Sequence, residues 1–175
     1  MSRLALFLFL IFSQLVSTNN KHQPISLKDE RFTFIPQKFY INHEADARSN
    51  RSEVAILIQK NKKDPVAIDL KHGAVESMKN FLDHNLHRDT TLRPILVTIK
   101  EFKITETQLP DGRIRGNLKV FFSFSSQLSY QNKHLVDFNK EYYYNRQIDK
   151  PINAEAKLRG GIMDGLTYFN DWMNR

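Results

Sequence analysis

From Arg113 to Phe124 the chain alternates between two kinds of residue, and no other stretch limits its fold so strongly. Ile114, Gly116, Leu118, Val120, Phe122 and Phe124 take every second position, interleaved with Arg113, Arg115, Asn117, Lys119, Phe121 and Ser123. Successive side chains of a strand point to opposite faces, so a period of two specifies one buried face and one wet face. Half-buried strands of this kind belong to antiparallel sheets. The partner lies just upstream. Ile95-Leu96-Val97-Thr98-Ile99 opens a strand that runs on through Phe102 and Ile104, and Glu101 interrupts the pattern as a bulge residue would. Between the two segments, Leu109-Pro110-Asp111-Gly112 supplies a turn, because Pro presets φ and Gly accepts φ > 0. The sequence thus predicts a long hairpin. A third strand follows, with Val136, Phe138, Tyr142 and Tyr144 on one face and Lys140 interrupting them.

An apolar sheet face needs a cover. Leu158, Ile162, Leu166, Phe169 and Met173 recur at helical spacing behind Asn153, a good N-cap type. Gly161 and Gly165 lie one turn apart in this stripe, so the helix backbone could come close to the sheet. A second helix is expected to enter at Asp64-Pro65 and carry Ile68, Val75, Met78, Leu82 and Leu86 on one face to about His87, weakened by Gly73. Val54-Ala55-Ile56-Leu57-Ile58 reads as a buried strand, Arg31–Ile35 as a first edge strand stopped by Pro36, and 43–52 as loop. The expected fold is α+β: a two-layer, antiparallel-rich sheet with two helices packed on one face. Residues 51–175 form the single domain, and 19–50 a polar leader with a candidate edge strand.

The first 18 residues read as an export signal. Arg3 precedes the apolar run Leu4–Phe12, and small and polar residues follow from Ser13 to Thr18. That run is too short for roughly 30 Å of hydrocarbon, which takes about 20 apolar residues. A retained anchor and a buried terminal element are the alternatives. With cleavage, the mature chain has no transmembrane span and is periplasmic or secreted.

Chemistry is sparse. The chain has no cysteine, which excludes disulfides, thiolate metal sites and a Cys nucleophile. No P-loop, G-x-G-x-x-G, G-x-S-x-G or H-E-x-x-H motif is present. His72 with Glu76, and His84 with His87, could share helix faces, but a metal site needs a further ligand and none is evident. No catalytic residue, metal or cofactor is therefore assigned. The formal net charge is +7, which suits an anionic partner or a merely solvated basic face. The candidate ligand-binding residues are Arg113, Arg115, Lys119 and Phe121 on the polar face of one strand, with Tyr143 pointing outward from the next. The ligand they suggest is an anionic envelope lipid or polymer. Nucleic acid is not expected, because no RNP-type signature is present and the chain carries an export signal.

From about Val54 to Trp172 the chain resembles small envelope proteins of the YajG type and the ABC-transport auxiliary lipoproteins. The resemblance lies in Val54-Ala55-Ile56-Leu57-Ile58 before the Ile68–Leu86 helix, in the Ile95–Ile104 and Ile114–Phe124 hairpin, and in a last helix that opens at Leu158-Arg159 and ends Tyr168-Phe169-Asn170-Asp171-Trp172. It implies a protein without catalytic residues that assists lipid transport or envelope assembly. Those families are lipidated on a Cys after the signal, which this chain lacks. The expectation is a non-catalytic exported envelope protein that binds a lipid, an envelope polymer or an envelope protein complex. The alternative is a small secreted hydrolase with a dispersed carboxylate/His site.

Overall fold

The computed structural model describes residues 24–128 and 131–175. The signal reading of residues 1–18 lies outside them. The expected hairpin is present as β4 (Arg93–Gln108) and β5 (Arg113–Leu128), and β6 (Gln131–Gln147) continues the antiparallel meander. The inner face follows the alternation: Val97, Ile99, Phe102 and Ile104 lie beside Phe124, Phe122, Val120 and Leu118. Beyond them come Val136, Phe138, Lys140 and Tyr142 of β6. The register on β4 shifts between Ile99 and Glu101, so a bulge sits at Lys100.

Two parallel strands share the other side of β4, which makes the sheet mixed. β1 (Phe39–Asp46) runs along its first half, and β2 (Ala55–Leu57) pairs at Ile104 and Thr105. β3 (Val66–Ile68) adds antiparallel to β2, giving the order β3-β2-β4-β5-β6 with β1 also on β4. Two helices, α1 (Gly73–Asn85) and α2 (Ala154–Met173), complete the α+β fold. Asn153 caps α2 as expected, its side chain accepting from the Ala156 N–H at 3.0 Å. Ala74, Met78, Phe81 and Leu82 of α1 and Leu158, Ile162, Leu166 and Phe169 of α2 join one core with the inner sheet face. α2 lies close to β5: a Cβ on Gly161 would stand 2.8 Å from Val120 Cγ2, and one on Gly165 2.7 Å from Phe122 Cδ2.

Three expectations are corrected upstream. Residues 31–35 form no strand, and the edge strand is β1, within a stretch read partly as loop. Residues 66–68 are strand, and α1 begins only at Gly73, whose φ of 74° breaks the chain direction there. The residues before 51 belong to the folded body. Ile25 bridges Leu70, the Lys28 N–H donates to Glu155 Oε1 at 3.0 Å, Glu30 pairs with Arg159, and Phe32 and Phe34 pack on the core. Apolar anchors spaced among polar residues hold this segment, and its overall polarity conceals them.

Gly116 is the one break in the apolar alternation of β5, and the reason is steric. The Tyr144 ring crosses the space where its Cβ would stand. Gly116→Ala is expected to cost about 1–3 kcal/mol in chemical denaturation, as overpacking does. In a Tyr144→Ala background the same change should cost nothing.

Candidate functional site

The arrangement with most chemical content sits where β1 and β2 meet end to end on β4. β1 reaches Ile99, where the Ala47 N–H donates to the Ile99 carbonyl at 2.9 Å. Pairing resumes where the Ile104 N–H donates to the Val54 carbonyl at 2.8 Å. Between these points residues 48–53 loop away from the sheet, opposite the bulge, and among the described residues no strand covers Lys100 to Lys103 on that side.

Arg48 holds the loop. Its side chain is buried; Nε and Nη2 donate to the two Asp46 carboxylate oxygens at 3.0 and 2.9 Å, and Nη1 donates to the Glu53 carbonyl at 3.1 Å. Burial alone would raise the Asp46 carboxyl, but the Arg48 hydrogen bonds and charge hold it below its usual value. Asn50 shapes the tip by accepting from the Ser52 N–H and hydroxyl at 3.0 and 2.7 Å.

The loop and the sheet enclose a cleft of about 160 Å³, lined among others by Ser49, Asn50, Lys100, Lys103, Thr105 and Lys119. Lys103 and Lys119 are direct cross-strand neighbours, and like charges so placed destabilise a sheet. Each has a carboxylate. Lys103 Nζ lies 2.5 Å from Glu53 Oε1, and Lys119 Nζ lies 3.1 Å from Glu141 Oε1. Lys100 Nζ sits 4.9 Å from the centre of the Phe121 ring. The Glu141 hydrogen bond raises the Lys119 ammonium, while Tyr143 and then Lys119 lower the Glu141 carboxyl.

The structure divides the five residues singled out from sequence. Lys119 and Phe121 belong to the cleft and its rim, and Tyr143, 71% exposed, lies diagonally across on β6 and donates to Glu141. Arg113 and Arg115 stay at the hairpin end, and Arg113 is about 20 Å from Lys119 along the strand. Arg113 is paired with Asp111 at 2.6 Å, and Arg115 faces Thr107 and Asn145. Sequence reasoning missed Lys100, Lys103 and the loop; the interruption at Glu101 was their available signal.

Two larger depressions gather less chemistry. One of about 570 Å³ is lined by Lys38, Leu92, Arg93, Trp172 and Met173, and Lys38 Nζ there donates to the Met173 carbonyl at 2.8 Å. Another of about 410 Å³ lies between Ser26–Asp29 and α1, beside His72 and His84. Among the described residues, no three or more His, Asp or Glu side chains gather as metal ligands would, and no helix is long and apolar enough to cross a membrane.

Two carboxylates stand apart from the surface. Glu106 has a fully buried side chain, and every acceptor direction is engaged. It receives Arg146 Nε and Nη2 at 2.7 and 2.6 Å, the Tyr144 hydroxyl at 3.0 Å and the Ile58 N–H at 2.8 Å. Such a carboxylate has no free lone pair for chemistry. Glu44 is half-buried on the inner side of β1. Burial and then the Asp83 charge raise its carboxyl, against Lys79, His43 and Arg88, which lower it.

No family model matches the chain, and no curated protein matches it. Among solved structures, one uncharacterized protein is 10% identical, with 85% of this chain and 99% of that chain covered and a TM-score of 0.39. Protein XCC0632 from Xanthomonas campestris, described as DUF330, is 7% identical, with 85% of this chain and 89% of that chain covered and a TM-score of 0.40. Likenesses this distant carry no argument about the site.

Two outcomes follow from the carboxylates. Arg146→Leu strands the Glu106 charge in the interior and is expected to cost about 3–5 kcal/mol in denaturant unfolding. Glu44 behaves oppositely. Its folded carboxyl titrates above its unfolded value, so the ionised form burdens the fold at neutral pH, and the burden fades as pH falls through the folded value. Glu44→Gln should therefore raise Tm at pH 7 and lose that advantage once pH falls below the ordinary carboxylate range, as followed by thermal melts across pH.

Proposed function

We propose that this chain is a non-catalytic exported protein of the cell envelope that binds a phosphate-bearing lipid headgroup or envelope polymer on the outer face of its sheet. The observation that carries the reading is the gap in pairing on β4, where Lys100, Lys103 and Lys119 surround a cleft. The exposed Lys119–Glu141 pair does not lock Lys119: such pairs are worth about 0–1 kcal/mol, so a phosphate with several acceptor oxygens can replace Glu141 as partner. Lys103 keeps its half-buried pair with Glu53 and adds its charge to the cleft. Arg48 is different: its pair with Asp46 is buried and holds the loop in place. Phe121 and Tyr143 add aromatic surface on either side of Lys119. The apolar run behind Arg3 supplies the export half of the reading.

The resemblance to auxiliary envelope lipoproteins points the same way, toward an accessory role in envelope transport or assembly. The hydrolase alternative has its foothold in Glu44, a raised carboxyl with His43 and Asp83 nearby.

Vesicles test the reading. The full chain should bind phosphatidylglycerol vesicles and leave phosphatidylcholine vesicles free, and soluble polyphosphate should compete only if the cleft also takes a polymer. At roughly 1 kcal/mol per surface lysine, Lys100→Gln with Lys119→Gln should weaken binding about thirtyfold, with stability changed by no more than about 0.5 kcal/mol. Arg113→Gln, at the far end of the hairpin, should leave affinity unchanged. Equal affinity of the double variant and the parent would rule out the cleft, and retention of the tagged chain in the cytoplasm would rule out the envelope.

A further inference from the structure

The two sides of the sheet are unlike. One ends in β1, 8 residues long, and in the short strand β3, which the Ile25 bridge extends past Ile68. The other is β6, 17 residues long, with no strand on its outer side among the described residues. An edge of this length presents a row of backbone donors and acceptors, and proteins usually blunt such rows with Pro, bulges or inward charges. β6 has a bulge near its start, at Leu135, and beyond it two inward charges, Lys140 and Arg146, the second paired with Glu106; its remainder to Gln147 contains no Pro and no bulge. Its inner face is also incompletely covered. Tyr142 and Tyr144 are half-buried, because α2 lies chiefly over β5.

We propose that β6 pairs antiparallel with β6 of a second copy of this chain, across a two-fold axis at Tyr142, so that the two sheets become one. Self-pairing at this register opposes no like charges over the longest stretch, residues 137–147; an axis at Tyr144, which also avoids them, pairs only residues 141–147. An axis at Lys140 sets lysine against lysine, and one at Glu141 sets glutamate against glutamate. An axis at Asn139 opposes Asp137 to Glu141, one at Tyr143 opposes Lys140 to Arg146, and one at Phe138 runs the pairing into the Leu135 bulge. With the axis at Tyr142, Glu141 faces the second copy's Tyr143, Lys140 faces its Tyr144, Asn139 its Asn145 and Phe138 its Arg146. No like charges meet. Strands lie about 4.8 Å apart, so the two β5 strands, and the two α2 helices above them, stand about 14 Å apart. A row of large inner side chains, Tyr142, Tyr144 and Tyr168 from each copy, suits a gap of that width.

The chain has no native cysteine, which makes the test direct. Asn139 and Asn145 are both exposed on the outer face. Full-length Asn139→Cys/Asn145→Cys should give a covalent dimer on mild oxidation or with a short bifunctional thiol reagent, while each single variant should not. Tyr143→Glu places a carboxylate opposite the second copy's Glu141. It should weaken the dimer at least about tenfold by sedimentation equilibrium and leave the Tm of the protein diluted to monomer unchanged, since Tyr143 packs on nothing in the core. A parent protein that stays monomeric at every concentration, its edge covered by its own N-terminal segment or kept for a different protein, overturns the proposal. Single-cysteine variants that cross-link as well as the double variant overturn it too.

Discussion

α2 can reach the sheet only because Gly161 and Gly165 leave its backbone almost in contact with Val120 and Phe122. At that distance the large side chains on either side of the glycine line reach past the helix into the sheet's inner face. Phe169 is the clearest case. Its ring stacks on Phe124 at 4.3 Å with an interplanar angle of 5°, meets Phe39 edge-on at 4.8 Å, and is followed by Trp172 at 6.1 Å. Aromatic pairs in these geometries add about 0.5–1.5 kcal/mol beyond the area they bury. Phe39 belongs to β1, so the helix that closes the β4–β5–β6 meander also fixes a strand on its far side. Bulkier residues at the two glycine positions would lift α2 and loosen both contacts together.

The hairpin end of the inner face is sealed by charge and not by apolar packing. Glu106 and Arg146 meet there, with Tyr144 laid over Gly116 to supply a further donor and Lys157 of α2 4.2 Å above the Tyr144 ring. The guanidinium also donates to the carbonyls of Ile58 at 2.6 Å and Lys150 at 2.9 Å. It thus ties the end of β2 and the segment leading into α2 to the meander. Burying a carboxylate is tolerable only when its lone pairs are filled, and here they are. Burial, followed by the Glu106 charge and its hydrogen bond, keeps the Tyr144 phenol far above its usual titration range, which preserves it as a donor. The network fastens three chain segments at a point where α2 has only begun.

The parts legible in the sequence were those with a strong local period. The β4–β5 alternation, the inward Lys140 on β6 and the Asn153 cap each depend on residues within a few positions of one another. β1 was illegible for a physical reason. It buries Phe39 and Ile41, shifts register between Ile41 and His43, and then carries mostly polar residues, so neither alternation nor an apolar run announces it. The start of α1 was misplaced because Ile68 and Leu70 fit a helical stripe, while the positive φ of Gly73 separates them from it. Glu106 and Arg146 stand 40 positions apart, and only the register of three strands brings them together. Of the site, Lys119, Phe121 and Tyr143 followed from alternation alone. Lys103 and the 48–53 loop needed knowledge of which strand lies beside β4.

That neighbour relation explains where the cleft falls. β4 has 16 residues, β1 has 8 and β2 has 3, so neither β1 nor β2 can cover its side alone, and they pair with it in tandem. A chain that must leave one half of β4 and rejoin the other half in the same direction has to loop out between them. The loop is held by Arg48, whose buried guanidinium satisfies backbone groups that the sheet no longer can. The bulge at Lys100 lies opposite the same gap, and a bulge turns residues on its two sides differently from a regular strand. Lys100 can therefore lie over Phe121 while Lys103, past the bulge, faces Lys119. The cluster of lysines is thus a consequence of strand lengths as much as of composition. A chain with one long strand along β4 would keep the same lysines and lose the cleft between them.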